Sequence, residues 1–175
     1  EGPSVPVTLE IYAIPVVTAT ADQTICSGYA PSSLNASSAN AGTYSWVDAA
    51  DPLGTVLGTG SNFPPPLLTT TTTYTVTFTE TSSGCTASDD VTITVTPLDD
   101  ATFVLTDYCE GSSNSATVTG TAGGVFTFTA PAPTGGEAIN SVTGEITGGT
   151  GGTIYSVTYT TPIGACSQSS IQTVT

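Results

Sequence analysis

Apolar and polar positions alternate in short bursts along this chain. Tyr74-Thr-Val-Thr-Phe-Thr, Val91-Thr-Ile-Thr-Val95 and Tyr155-Ser-Val-Thr-Tyr-Thr each send every second side chain to one face. That period of two belongs to half-buried β-strands. On this pattern, strands are predicted near 7–13, 16–20, 43–48, 73–79 and 91–96. A second set is predicted near 101–106, 115–120, 124–129, 153–160 and 170–175. No stretch sustains an apolar period of 3.6, and Pro or Gly interrupts every long window. Asp51-Pro52, Gly58 to Ser61 and Pro64-Pro65-Pro66 punctuate the first set; Gly123-Gly124, Gly135-Gly136 and Gly148 to Gly152 punctuate the second. Short strands between closely spaced turns indicate an all-β sandwich.

The two sets are copies of one pattern. Cys26-Ser27-Gly28 matches Cys109-Glu110-Gly111, and each Tyr-initiated strand is followed by a cysteine eleven residues on, Tyr74 to Cys85 and Tyr155 to Cys166. The two cysteines of a copy are 59 residues apart in the first and 57 in the second. After each second cysteine comes another alternating run, Val91 to Val95 and Ile171 to Val174. Such self-similarity marks a tandem repeat. It divides the chain into module one, residues 15–97, and module two, residues 98–175. Val7 to Pro15 matches Val91 to Pro97, so residues 1–14 read as the last strand of a preceding module. The closing strand of module two reads as truncated at Thr175. The short link through Pro97 and Leu98 predicts modules lying end to end.

Composition narrows what such a protein can do. All 14 charged residues are acidic; there is no Lys, Arg or His. A net charge of −14 repels phosphate, which excludes nucleic acid as a partner, and it repels anionic membranes as well. No apolar run is long enough for a membrane-spanning helix, so membrane insertion is not expected. Thr, with 37 residues, is the commonest type, and its branched Cβ suits a pleated surface. A Ser or Thr nucleophile would lack its usual base, and the spacing suggests no paired carboxylates for glycoside hydrolysis. The expectation is that the chain is not an enzyme.

The four cysteines sit at equivalent places in the two copies. Three connectivities are open to four cysteines; repeat symmetry favours Cys26–Cys85 and Cys109–Cys166, one bridge per module. No CxxC spacing is present, so a zinc or redox site is not indicated. Persisting disulfides imply a compartment outside the cytoplasm.

Tyr44-Ser45-Trp46-Val47-Asp48, the stretch from Thr69 to Pro97, and the second copy's Asp107-Tyr-Cys-Glu-Gly and Tyr155 to Cys166 segments together resemble a known repeat family. They are similar to the Ig-like or PKD-like modules of giant type IX-secreted Bacteroidota surface adhesins, the SprB-type gliding-motility adhesins among them. The resemblance implies two tandem immunoglobulin-like sandwich modules. It also implies export to the bacterial cell surface, attachment at the outer membrane, and a part in adhesion or gliding. It supplies no catalytic residues.

Two candidate sites remain. Asp89-Asp90 and Asp99-Asp100 flank the junction and offer hard oxygen ligands for Ca²⁺; the alternative is a set of solvated turn acids. Trp46 reads either as a core residue of the third strand or as a ligand platform, with Tyr29, Tyr108 and Tyr155 as companions if the modules bind carbohydrate. Asn35-Ala36-Ser37 is a formal glycosylation sequon, and the Thr69–Thr73 run reads as a β-rich edge or a glycan acceptor. The leading expectation is a non-catalytic stalk segment of a large adhesin. Its partners would be neighbouring modules, with surface polysaccharide or substratum as further candidates. The alternatives are an extracellular filament built by strand donation and a carbohydrate-binding module.

Overall fold

The computed structural model describes residues 9–129, 132–164 and 166–175. The chain divides into two compact units, Glu1–Thr96 and Pro97–Thr175.

Unit one contains β1 (Thr18–Ala19), β2 (Gln23–Cys26), β3 (Leu34–Ser37), β4 (Gly42–Asp48), β5 (Val56–Thr59), β6 (Asn62–Phe63), β7 (Thr72–Glu80) and β8 (Thr86–Thr96). One sheet runs β2-β8-β7-β4-β5 and the other β1-β3-β6. All pairings are antiparallel except β2 with β8, which run parallel with Cys26 opposite Thr96. Alternation builds the core between the sheets. Tyr74, Val76 and Phe78 of β7 and Val91 and Ile93 of β8 point inward, and Leu34, Ala36 and Phe63 meet them from the smaller sheet.

Unit two contains β9 (Phe103–Val104), β10 (Thr117–Val118), β11 (Val125–Phe128), β12 (Ala138–Ile139), β13 (Ile146–Thr147), β14 (Tyr155–Thr160) and β15 (Ser169–Val174). The order β11-β14-β15 makes its main sheet, accompanied by the β9-β10 and β12-β13 pairs. Its core packs Phe103, Phe126, Ile146, Tyr155, Val157, Tyr159 and Val174. Phe126, Phe103 and Tyr159 touch one another at ring-centroid distances of 4.7–5.9 Å. Both units are Ig-like β-sandwich regions. Among the described residues, no helix is long and apolar enough to cross a membrane.

Three expectations about elements are corrected. The strand placed at 7–13 is not formed over 9–13, and Leu9, Ile11 and Ile14 are exposed there; residues 1–8 lie outside the described residues. A strand needs a neighbour to take its N–H and C=O groups, and among the described residues this segment has none. The closing strand of unit one starts at Thr86, so Asp89 and Asp90 lie inside β8 rather than before it. Short β2, β3, β5, β6, β12 and β13 also went unanticipated, because two to four residues cannot display a period.

One disulfide is present instead of one in each module. Cys26 and Cys166 are disulfide-bonded, and Cys85 and Cys109 carry free thiols. Neither expected bridge forms, and the geometry of each unit explains why. Cys26 sits beside Thr96, whereas Cys85 sits just before Thr86. Eleven residues of extended chain, about 35 Å, lie between those ends, against the ~7 Å that a disulfide spans between Cα atoms. In unit two the Tyr108 N–H bonds the Thr175 carbonyl, placing Cys109 at the end of β15, while Cys166 precedes its start. Strand β15, about 20 Å long, separates them.

Candidate functional site

Each unit therefore has two poles, and each pole has a cysteine. In unit one, β2 runs parallel to β8, and the Ala19 N–H bonds Asp89 Oδ2 at 2.8 Å. The chain thus enters at the Cys85 end and leaves at Thr96, next to Cys26. In unit two the Asp99 N–H bonds the Cys166 carbonyl at 3.1 Å, so Cys166 marks the entrance; Cys109, at the Thr175 end, marks the exit.

The exit-pole cysteines share a local structure. The Tyr29 N–H bonds the Cys26 carbonyl at 3.1 Å, and the Ser112 N–H bonds the Cys109 carbonyl at 3.0 Å. Each is a four-residue turn with a glycine third. Gly28 and Gly111 both have φ of 81°, the value that a type II turn demands at that position and that glycine adopts without strain. The Cys-x-Gly repeat is thus a turn that fixes the cysteine at the pole.

A second shared device was missed from the sequence. Gly42 in Gly-Thr-Tyr-Ser-Trp and Gly124 in Gly-Val-Phe-Thr-Phe occupy matching places. A Cβ on Gly42 would lie 2.3 Å from the Thr79 carbonyl oxygen, and one on Gly124 would lie 2.0 Å from that of Thr160. Only glycine allows the neighbouring strand to come so near. The motif that would have revealed it, Gly-x-aromatic-x-aromatic, is legible once the two copies are set side by side.

Trp46 is fully buried. Its indole Nε1–H donates to the Gly60 carbonyl at 3.0 Å, and its ring stacks on Phe63 with centroids 5.7 Å apart. It is a core residue, unavailable as a platform. Tyr155 is buried too. Its hydroxyl accepts from the Thr150 N–H at 2.8 Å and donates to Glu137 Oε1 at 3.1 Å. The Tyr108 hydroxyl is buried beside Gly149 without a hydrogen-bond partner among the described residues, and burial raises its pKa. Of these four candidates, Tyr29 alone is well exposed. Stacking on a sugar requires an accessible ring face, which the Trp46 and Tyr155 rings do not offer.

The acidic candidates are each engaged locally. Asp89 accepts the Ala19 and Asp90 backbone N–H groups, and Asp90 accepts the Thr75 hydroxyl at 2.6 Å. Asp99 accepts the Thr161 hydroxyl at 2.9 Å, and Asp100 accepts the Thr102 N–H at 3.0 Å. Among the described residues, no three His, Cys, Asp or Glu side chains come together as a metal-binding group. Elsewhere, Asp51 caps its own turn through the Leu53 and Thr55 N–H groups, both at 2.9 Å. Bonding from Thr55, its side chain foremost, holds the Asp51 carboxyl below its ordinary value. The Glu137 carboxyl is likewise lowered, first by its own backbone N–H and then by Tyr155 and Gly135.

An open groove of about 380 Å³ is lined by Thr129, Pro133, Gly135, Glu137, Ile154 and Tyr155, among others. Among the described residues that line it, Glu137 is the one carboxylate. In the Thr69–Thr73 run, the Thr71 hydroxyl accepts the Val95 N–H at 3.0 Å, and the Thr73 and Thr92 hydroxyls bond each other at 3.0 Å. Asn35 lies on β3, and its side-chain oxygen accepts from Asn62 at 2.9 Å.

Comparison with known proteins agrees with this architecture. Residues 13–97 match the family described as Ig-like domain, CHU_C associated. Module one is thus similar to Ig-like domains of that family. The chain also resembles the three N-terminal domains of the outer capsid protein Hoc of bacteriophage RB49, at 14% identity and a TM-score of 0.50, over 93% of this chain and 69% of that one. Drosophila N-cadherin EC1–4 matches at 17% identity and a TM-score of 0.43, over 89% of this chain and 46% of that one. A SusE-like surface-located polysaccharide-binding protein from the Bacteroides thetaiotaomicron heparin utilisation locus matches at 16% and 0.33, over 90% and 33%. This chain thus spans under half the length of the last two. At such identities the likeness concerns the fold alone. No curated protein matches the chain.

Proposed function

We propose that this chain is a non-catalytic stalk segment of a large bacterial cell-surface adhesin serving surface adhesion or gliding motility. The observation that carries the reading is how both units use their functional-looking side chains. The large aromatics fill their own cores, and the candidate acids accept their own backbone or hydroxyl groups. What is left is a repeated frame with a cysteine at each pole. The CHU_C-associated Ig-like match and the disulfide support a location outside the cell or on its surface. Neighbouring modules of the same polypeptide are its immediate partners, and contact with polysaccharide or substratum falls to other regions. Sequencing outward from the coding region is the test. Recurring Cys-x-Gly and Tyr-to-Cys modules on both sides are expected; a single pair fused to a catalytic domain would overturn the reading.

Filament assembly by strand donation is a second reading, favoured by one observation. Leu9, Ile11 and Ile14 are exposed on a segment that, among the described residues, pairs with no strand, which is the form of a strand offered to another sandwich. Concentration-dependent polymers of the purified chain, abolished by Ile11→Asp, would favour it over the stalk.

A further inference from the structure

We infer that Cys85 and Cys109 are joints of a disulfide series linking successive copies of this module, exit-pole cysteine to entrance-pole cysteine. The inference rests on the repeat-segment reading and adds the covalent partner of two otherwise unassigned thiols.

A module cannot bond its own two cysteines, because its closing strand holds them at opposite poles. Any disulfide therefore recruits a cysteine from another module. Two cysteines here are bonded, and they represent the two kinds of place: Cys26 at an exit and Cys166 at an entrance. Their repeat counterparts, Cys109 at an exit and Cys85 at an entrance, have free thiols. Cys109 is exposed and Cys85 partly so, and in both units the exit cysteine is presented by the same glycine-dependent turn.

Chain connectivity supplies the pairing rule. A polypeptide that leaves one module at its exit pole enters the next at its entrance pole. Here Thr96, opposite Cys26, and Asp99, bonded to the Cys166 carbonyl, are three residues apart in sequence. By the same rule Cys109 takes the entrance cysteine of a following copy, and Cys85 takes the exit cysteine of a preceding one. The reaction is thiol–disulfide exchange. Two protein thiols and one small-molecule disulfide give one protein disulfide and two small-molecule thiols, so the two electrons lost by the protein sulfurs pass to the small disulfide.

The test uses a tandem in which residues 15–175 follow Thr175 directly, which recreates the Thr96-Pro97 junction as Thr175-Pro15. The tandem is refolded with oxidised glutathione. Each half contributes four cysteines. Two free thiols per tandem are expected instead of four, and Glu-C or chymotryptic mapping should join the first half's Cys109 to the second half's Cys85. Cys109→Ser in the first half should raise the count to three, with far-UV circular dichroism confirming that both proteins fold. Four thiols in the folded tandem, or Cys109 joined to a cysteine of its own module, would overturn the inference. If outward sequencing finds recurring modules while the thiols stay free, the disulfide series alone fails; if no modules recur, the stalk reading fails.

Discussion

Phe63 is the side chain through which the smaller sheet of unit one grips the larger. It is 5% exposed, stacks on Trp46, and meets Tyr74 edge-on with centroids 5.2 Å apart. Phe63→Ala deletes a buried ring from a two-residue strand that has little else to hold it. Core Phe→Ala changes cost about 3–5 kcal/mol, part of which is the two aromatic contacts at about 0.5–1.5 kcal/mol each. A domain with a total stability of roughly 5–15 kcal/mol would lose a large fraction of it. Trp46 is the sole tryptophan and lies in this core, so urea unfolding followed by tryptophan fluorescence reports on unit one alone. With a urea slope of about 2 kcal/mol/M, the midpoint should fall by about 2 M. The circular dichroism transition belonging to unit two should persist, since its core contains none of these residues. A fluorescence midpoint that moves by less than about 0.5 M would refute the claim that Phe63 holds the smaller sheet to the larger.

Other outcomes follow from the same structure. Gly28→Ala and Gly111→Ala should each lower stability by about 1–2 kcal/mol in thermal melts, since both positions have φ of 81°. Tyr159→Phe should cost about 1–3 kcal/mol, because its hydroxyl donates to the Thr121 carbonyl at 2.7 Å and accepts the Gly124 N–H at 2.9 Å. Acid should destabilise the fold: Asp51 and Glu137 have folded pKa values below their ordinary 3.8 and 4.5. The stability they contribute is complete above those values and is lost as pH falls through the lowered ones. Glu137→Gln should blunt that loss, and the melting midpoint should stay level between about pH 5.5 and 7, where histidine would titrate if there were any. Adding Ca²⁺ or a chelator should leave the midpoint unchanged, because Asp89, Asp90, Asp99 and Asp100 already serve local donors; a rise with Ca²⁺ would show that they can be recruited.

Legibility in the sequence depended on how many residues shared one environment. Strands β7, β8 and β14 alternate over six or more residues, and their inward faces could be read directly. Leu34 and Ala36 also alternate with polar neighbours, but four residues with one large apolar side chain do not stand out from a loop. Asp89 and Asp90 looked like turn acids because carboxylates are rare in strands. Inside β8 they are accommodated by the Ala19 N–H and the Thr75 hydroxyl, which belong to other strands. The cysteine pairing failed for a different reason. Repeat symmetry is satisfied equally by bridges within modules and by bridges running head to tail between them. What decides is the length of the closing strand, a distance that spacing along the chain does not express.

The parallel pairing of β2 with β8 has a mechanical consequence. The chain enters unit one at the start of this pair and leaves at its far end. While Cys26 is disulfide-bonded, load arriving along β2 passes into the sulfur bridge instead of the ladder; once that bridge is reduced, tension draws the two adjacent strands in opposite directions along their common axis. The ladder joining Gln23–Cys26 to Ile93–Thr96 is then loaded in shear, with its hydrogen bonds sharing the force at once instead of opening one after another from an end. Oxidation state thus selects what carries the pull: the sulfur bridge when it is closed, the hydrogen-bonded ladder when it is open.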